Sequence, residues 1–285
     1  MNFAKMHGLG NDFILIDCRH VELNNLSELS KKLCNRRFGV GADQMLLLFD
    51  SIHADFMMRI FNADGSEVEM CGNGIRCLAK YIWDRNLSGK KILHIETLAG
   101  IIMPEKTGEM VKVDMGEPIF EPEKIPIRIT EESNPPYPPL SKGGVGGIID
   151  YPLQIEDREF RVTCVSMGNP HAVIFVENLS HFPVTYYGPK VENQPLFPKK
   201  TNVEFIEVLN PTEIKMRVWE RGSGETMACG TGASAAAVAS SMKGLTEKNV
   251  IIHLLGGDLF IEWAGDNHVY MTGPAEEVFE GSIDI

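Results

Sequence analysis

Two stretches of this sequence match one another 158 residues apart, and an internal duplication constrains a fold more than any single motif can. Met70-Cys71-Gly72-Asn73-Gly74 matches Ala228-Cys229-Gly230-Thr231-Gly232 at that offset. Gly10-Asn11 falls on Gly168-Asn169, Gln44 on Asn202, and Asp55 to Asn62 on Glu213 to Glu220 without a gap. Beyond the helices the register slips by only one residue, with His94 matched to His253 at 159 and Gly116 to Gly273 at 157. Packing accounts for shared apolar positions. It does not account for an amide at both Asn11 and Asn169 and at both Gln44 and Asn202, whereas two related lobes facing one ligand do.

With 285 residues the chain is long enough for two such lobes. Its net charge of −12 comes from 39 acidic and 27 basic residues without a basic block that could track phosphates, so nucleic acid is not an expected partner. No run approaches the roughly 18 apolar residues of a membrane span, and Met1-Asn2-Phe3-Ala4-Lys5 lacks the plan of a signal peptide. The expectation is no membrane partner and a cytoplasmic location. The six cysteines (Cys18, Cys34, Cys71, Cys77, Cys164 and Cys229) are too sparse for a disulfide scaffold and show no CxxC spacing, so no metal site is expected.

Each half reads as short strands around one good helix. Phe13 to Asp17, Met45 to Phe49, Phe56 to Asn62 and Ile92 to Thr97 are strand-like in the first half. Ala172 to Val176, Val203 to Val208, Ile214 to Glu220 and Val250 to Leu255 repeat the plan. The helices Gly74 to Arg85 and Gly232 to Met242 follow the two CGxG motifs, and the second, almost wholly Ala and Ser, is expected to be buried. Between the halves, Glu131 to Gly147 is so rich in Pro and Gly that a surface loop or linker is expected.

Cys71 and Cys229 each sit where a glycine-containing turn enters a helix. The first turn of a helix presents N–H groups without intrahelical acceptors and the positive end of the dipole, which favours an anion such as a thiolate or a bound carboxylate. Glycines 72, 74, 230 and 232 let a ligand approach that backbone closely. With two such helix ends converging, one thiolate can take a proton from an α-carbon while the opposite thiol gives one. Inverting a stereocentre by proton transfer needs that pairing.

The chain resembles the diaminopimelate epimerase family over nearly its whole length. The resemblance is carried by Lys5 to Phe13 (KMHGLGNDF), Arg37 to Gln44 (RFGVGADQ), Phe61 to Glu67 (FNADGSE), Met70 to Cys77 (MCGNGIRC), Gly168 to His171 (GNPH), Thr201 to Phe205 (TNVEF), Trp219 to Thr226 (WERGSGET) and Ala228 to Ala233 (ACGTGA). It implies an α+β fold of two pseudo-symmetric lobes, each a curved, barrel-like mixed β-sheet around a central helix. The lobes would comprise residues 1–118 with a C-terminal strand in 275–285, and residues 119–274, with a hinge at their junction and the site between them.

The implied reaction is cofactor-independent interconversion of LL- and meso-diaminopimelate, with Cys71 and Cys229 as the two bases, in lysine and peptidoglycan precursor synthesis. Gly72, Asn73, Gly230 and Thr231 would hold the reacting carboxylate. Asn11, Gln44, Asn62, Asn169, Asn202 and Arg221 would line the cleft, Arg221 suiting a carboxylate through its planar fork. Glu220 would neutralise the reacting ammonium, and His171 and Glu220 would tune a thiol. The resemblance also implies a homodimer. Against these roles stand plainer ones: Glu220 and Arg221 as a surface pair, Asn62 and Asn169 as turn residues, His171 as a core histidine. Rival functions are a proline or hydroxyproline racemase and a thiol redox protein in which Cys71 and Cys229 form a regulatory disulfide.

Overall fold

Phe13-Ile14-Leu15-Ile16 and Met45-Leu46-Leu47-Leu48 are apolar on consecutive residues instead of alternate ones, the pattern of strands covered on both faces, and all eight side chains are buried. The computed structural model, which describes residues 1–128 and 147–284, explains the pattern with a helix against each face. Its elements divide between two compact units, Met1–Asp114 with Thr272–Ile285, and Met115–Met271.

The first unit runs β1 (Asn2–Gly8), β2 (Asn11–Asp17), α1 (Leu26–Cys34), β3 (Gln44–Phe49), β4 (Phe56–Asn62), β5 (Glu67–Val68), α2 (Gly72–Asp84), β6 (Ile95–Thr97), β7 (Gly100–Ile102), β8 (Glu105–Thr107) and β9 (Met110–Asp114). The second runs β10 (Ile148–Ile155), β11 (Arg158–Ser166), β12 (Pro170–Phe175), α3 (Val184–Glu192), β13 (Asn202–Asn210), β14 (Glu213–Glu220), β15 (Gly224–Thr226), α4 (Gly230–Met242), β16 (Asn249–Leu254), β17 (Gly257–Trp263) and β18 (Val269–Gly273). The last strand, β19 (Glu276–Ser282), returns to the first unit and pairs antiparallel with β1.

The sheets share one topology. The match covers seven strands: in the first unit the order is β19-β1-β2-β3-β4-β6-β7, and the second sheet runs β10-β11-β12-β13-β14-β16-β17 before continuing into further strands. β19 therefore occupies the place that β10 holds in the other unit. In each sheet one parallel pair, β2·β3 or β12·β13, is bridged by a crossover helix, α1 or α3, and the next, β4·β6 or β14·β16, by α2 or α4. Registers repeat as well: Phe13 pairs Gln44 as His171 pairs Asn202, and Met45 pairs Phe61 as Val203 pairs Trp219. α1 and α3 span equivalent residues at the offset of 158, and so do α2 and α4.

Several expectations need correction. Among the described residues each unit holds two α-helices, not one. α1 presents Leu29, Leu33 and Cys34 to Ile14, Ile16, Met45 and Leu47, while α2 meets the opposite face, Gly74 lying against Leu46 and Phe13. The strand expected over Ile92 to Thr97 begins at Ile95, and Ile92 makes an isolated bridge to Glu105. Ile95 pairs Phe56 and Ile252 pairs Ile214, an offset of 157, so His94 and His253 are not register equivalents. The C-terminal strand spans Glu276–Ser282, inside the expected 275–285. Of the expected loop, Glu131 to Gly146 lies outside the described residues. α4 is buried along ten of its thirteen residues, and its Ser234 and Ser240 hydroxyls donate to the carbonyls of Gly230 and Ala236.

Candidate active site

Both thiols cap their helices with the same geometry. Cys71 has φ −141° and ψ 116°, and its sulfur accepts the Gly74 N–H at 3.4 Å. Cys229 has φ −130° and ψ 114°, and accepts the Gly232 N–H at 3.4 Å. An extended N-cap with a side-chain acceptor at the third helical N–H is the usual helix start, here with sulfur in place of oxygen. All six cysteines are free.

Around Cys71 runs a directional chain of amides. Arg76 Nη2 donates to Asn73 Oδ1 at 3.0 Å, Asn73 Nδ2 to Asn11 Oδ1 at 3.2 Å, and Asn11 Nδ2 to Asp43 Oδ2 at 2.9 Å. A guanidinium only donates and a carboxylate only accepts, so the two ends fix the way both amides face. Cys71 Sγ donates to Asn11 Oδ1 at 3.7 Å. Arg36 anchors the acidic end, donating to both Asp43 and Asp12, while Lys5 donates to Asp12 and to the Gly41 carbonyl. Burial pushes the Asp12 carboxyl up, but hydrogen bonds from Arg36 and Lys5 outweigh it and hold the group well below the usual carboxylate range. Gln44 Nε2 donates to Asn62 Oδ1 at 2.8 Å, and Gln44 Oε1 is buried with no partner, an acceptor suited to an ammonium group.

Around Cys229 the chain is longer and differently charged. Glu204 Oε1 lies 2.7 Å from His171 Nδ1, His171 Nε2 2.8 Å from Asn169 Oδ1, and Asn169 Nδ2 donates to Thr231 Oγ1 at 3.3 Å. Thr231 Oγ1 in turn lies 3.5 Å from Cys229 Sγ. Thr226 Oγ1 donates to Glu220 Oε1 at 2.5 Å. Burial first, then the charges of Glu220 and Glu204, raise the Cys229 thiol well above its ordinary value, despite donors at Thr231 and Gly232. A helix dipole contributes at most about 2 kcal/mol, whereas full burial can move a group by roughly 3–5 pKa units, so burial wins. Burial also raises Glu220, which hydrogen-bonds Cys229.

Asn202 and Arg221 are tied to the backbone. Asn202 Nδ2 donates to the Pro170 carbonyl at 2.9 Å and its Oδ1 accepts the Arg221 N–H at 2.9 Å. Arg221 Nη1 reaches the Lys199 carbonyl at 3.4 Å. The turn that carries Arg221 is also held by buried Glu192, which accepts the Gly222 N–H at 3.0 Å and the Trp219 indole at 2.8 Å. Sequence reasoning missed Arg76, Asp43, Glu192, Glu204 and Thr226. The signal for two of them was a single charge inside an apolar run, Arg76 between Ile75 and Cys77, and Glu204 between Val203 and Phe205. Among the described residues no cluster of His, Cys, Asp or Glu could hold a metal ion, and no helix is long and apolar enough to cross a membrane.

The family model described as diaminopimelate epimerase matches residues 3–121 and 163–278. The chain belongs to the diaminopimelate epimerase family. It is thus an isomerase, and its relatives match from end to end. The diaminopimelate epimerase of Acetivibrio thermocellus is 52% identical over 291 residues, covering 100% of this chain and 99% of that one. That of Pelotomaculum thermopropionicum is 53% identical, covering 99% and 98%. Among solved structures, a phenazine biosynthesis protein of the PhzF family from Bacillus anthracis superposes with a TM-score of 0.72 at 17% identity, covering 100% and 99%, which shows the shared fold alone.

Proposed function

We propose that this diaminopimelate epimerase family member interconverts LL- and meso-diaminopimelate by proton transfer at one α-carbon, Cys71 and Cys229 serving as base and acid on opposite faces. The observation that carries the reading is the matched N-cap geometry of the two thiols on pseudo-equivalent helices. A thiolate on one side removes the α-proton, and the thiol opposite delivers its own to the other face. The charge that develops on the substrate carboxylate is met by first-turn N–H groups at Gly72, Asn73, Gly230 and Thr231. Glu220 neutralises the reacting ammonium group, and His171 with Glu220 sets the state of Cys229.

The distal amino-acid end is read by Asn11, Gln44, Asn62, Asn169, Asn202 and Arg221. Neutral amides with one guanidinium match an ammonium plus a carboxylate, and the unpaired Gln44 Oε1 awaits such a donor. About 50% identity over the full length to diaminopimelate epimerases favours this substrate over proline or hydroxyproline. No cofactor enters the scheme, and the pathway is lysine and peptidoglycan precursor synthesis, in the cytoplasm, by a homodimer. The test is incubation of the purified protein with LL-diaminopimelate, without pyridoxal phosphate or metal. Formation of the meso isomer supports the reading, and turnover of proline in its place would move the assignment to the racemases.

A further inference from the structure

The two thiols are placed alike but do not share one electrostatic setting, because the duplicated positions beneath them differ in charge. Where the second unit has His171, Glu204 and Glu220, the first has Phe13, Leu46 and Asn62. Where the second has Ser234, bonded to the Gly230 carbonyl, the first has Arg76. The Arg76 side chain is fully buried at 0% exposure, one turn into α2 from Cys71. Its Nη1 donates to the Gly72 carbonyl at 3.3 Å, its Nη2 to Asn73 Oδ1 at 3.0 Å, and its Nε to the Pro274 carbonyl at 3.1 Å. The backbone leaves room for it at Gly8, where a Cβ would stand 3.2 Å from Nη2.

We propose that Arg76 is a positioning residue that makes Cys71 the resting base of the pair, its buried guanidinium adding a full positive charge to the positive end of α2. A guanidinium stays protonated in proteins, so burial does not silence it, and low-dielectric surroundings strengthen its field. The coupling is mutual: burial lowers the guanidinium's hold on its proton, and negative charge on Cys77 and Cys71 raises it again. Cys77 does not compete for the role, because burial holds its thiol far above the ordinary range. Arg76 also orients the amide chain, its grip on Asn73 Oδ1 turning Asn73 Nδ2 toward Asn11, which leaves Asn11 Oδ1 as an acceptor beside Cys71 Sγ that the guanidinium's full charge outweighs.

Most charged groups on α2 and on the elements around it sit beside a group of opposite sign, Lys80 and Asp84 of α2 included. On β1 and β2, Lys5 meets Asp12 and Asp17 meets Arg19, while Glu276 of β19 lies 3.6 Å from the His7 ring, a charge partner only when protonated. Arg36 meets Asp12 and Asp43, Arg59 of β4 meets Glu67, and Arg85 meets Glu277 and Glu280 of β19. β9 carries one residue of each sign, Lys112 and Asp114, and β3 none. Beneath Cys229 the buried charges include two carboxylates, which oppose a thiolate there. The free protein therefore rests with its base at Cys71 and its acid at Cys229, ready for one stereoisomer, and must exchange protons before turning over the other.

This inference rests on the two-thiol reading, but its test needs no substrate, so failure of either is distinguishable. The rate of alkylation by iodoacetamide is followed against pH on the substrate-free protein, and modification at each cysteine is mapped by mass spectrometry. At pH 7 Cys71 is expected to react at least about tenfold faster than Cys229, and reversed order would overturn the proposal whatever the variants do. In Arg76→Met the Cys71 profile moves up by about one pH unit, a tenfold slower reaction at pH 7. Arg76→Lys, which keeps the charge, restores the rate to within about threefold of the parent. A folded Arg76→Met protein with an unmoved Cys71 profile, or an Arg76→Lys protein as slow as Arg76→Met, would also overturn it. If Arg76→Met does not fold, the Arg76→Lys profile and the order of reaction in the parent decide.

Discussion

His171 Nδ1 lies 2.7 Å from Glu204 Oε1 with neither side chain exposed, at the two positions where the first unit places Phe13 and Leu46. Two copies of one strand pair thus solve the same packing problem, once with an apolar contact and once with a buried polar pair. Removing one partner of a buried polar pair leaves the other unsatisfied, at a cost of about 1–3 kcal/mol, whereas replacing both with apolar groups of the same shape is often nearly neutral. His171→Phe and Glu204→Leu are each expected to lower unfolding free energy by that order. The double variant, which copies the first unit, should recover most of it while losing turnover. Chemical denaturation of all four proteins measures the coupling, and additive losses would contradict it.

The glycines at the third helical position of each motif differ in what lies over them. A Cβ at Gly232 would stand 2.7 Å from Glu204 Oε1 and 3.3 Å from Cys229 Sγ, while one at Gly74 would meet the end of Leu46 at 3.1 Å. Leu46 can turn away, but Glu204 is held by His171. Gly232→Ala is therefore expected to destabilise by about 1–3 kcal/mol, the usual cost of overpacking. Gly74→Ala should stay within about 1 kcal/mol, since alanine is the better helix former by about that much. Thermal unfolding of the two variants ranks them, and the opposite order would refute the account.

The pH dependence follows from groups raised by burial. Glu220 is raised above its unfolded value, chiefly by burial, so its contribution to stability is present below that value, near 4.3, and is lost as pH climbs through the folded one. At neutral pH keeping this raised carboxyl buried is a net cost, and Glu220→Gln should raise stability there while reducing turnover. Cys229 is raised as well, so its contribution holds up to about pH 8.5 and is lost only at higher pH. Removing the Glu220 charge should move Cys229 alkylation to lower pH. Unchanged stability and an unmoved alkylation profile in Glu220→Gln would contradict both statements.

Asp43 is the acceptor that terminates the Arg76, Asn73, Asn11 chain. Asp43→Asn keeps the shape but no longer dictates which way the Asn11 amide faces, because a primary amide both donates and accepts. A fall of about tenfold in kcat/KM, equivalent to about 1.4 kcal/mol, is expected with little loss of fold. Steady-state kinetics beside a circular dichroism melt would separate the two, and full activity would show that the chain's direction does not matter.

Much of the fold could be read because the duplication reports on itself. The strand expected over Phe56 to Asn62 coincides with β4, and both CGxG helices begin two residues earlier than expected, since the Cys-Gly turn is itself the cap. α3 was hidden by Gly188 and Pro189, which argue against a helix locally. Gly188 is there because a Cβ would stand 2.5 Å from the Trp219 ring, a tertiary demand that no local pattern reports. β1 was hidden by Lys5, a buried lysine in mid-strand whose charge is met by Asp12. At the site, the residues of the matched motifs were legible and those that act through them were not. Arg76 and Glu192 sit outside any repeat of polar identity, their counterparts being Ser234 and Cys34.

The central claim, proton transfer by two thiols on opposite faces of one carbon, is tested most directly by isotope incorporation. LL-diaminopimelate is turned over in D2O and, at early times, both isomers are recovered and analysed by mass spectrometry. Two bases predict one deuterium in the meso product and almost none in recovered LL substrate, because the donor is a different group from the acceptor. The Cys71→Ser and Cys229→Ser double variant should form no product. Deuterium appearing in the LL substrate as fast as in the product, or turnover surviving in the double variant, would contradict the account.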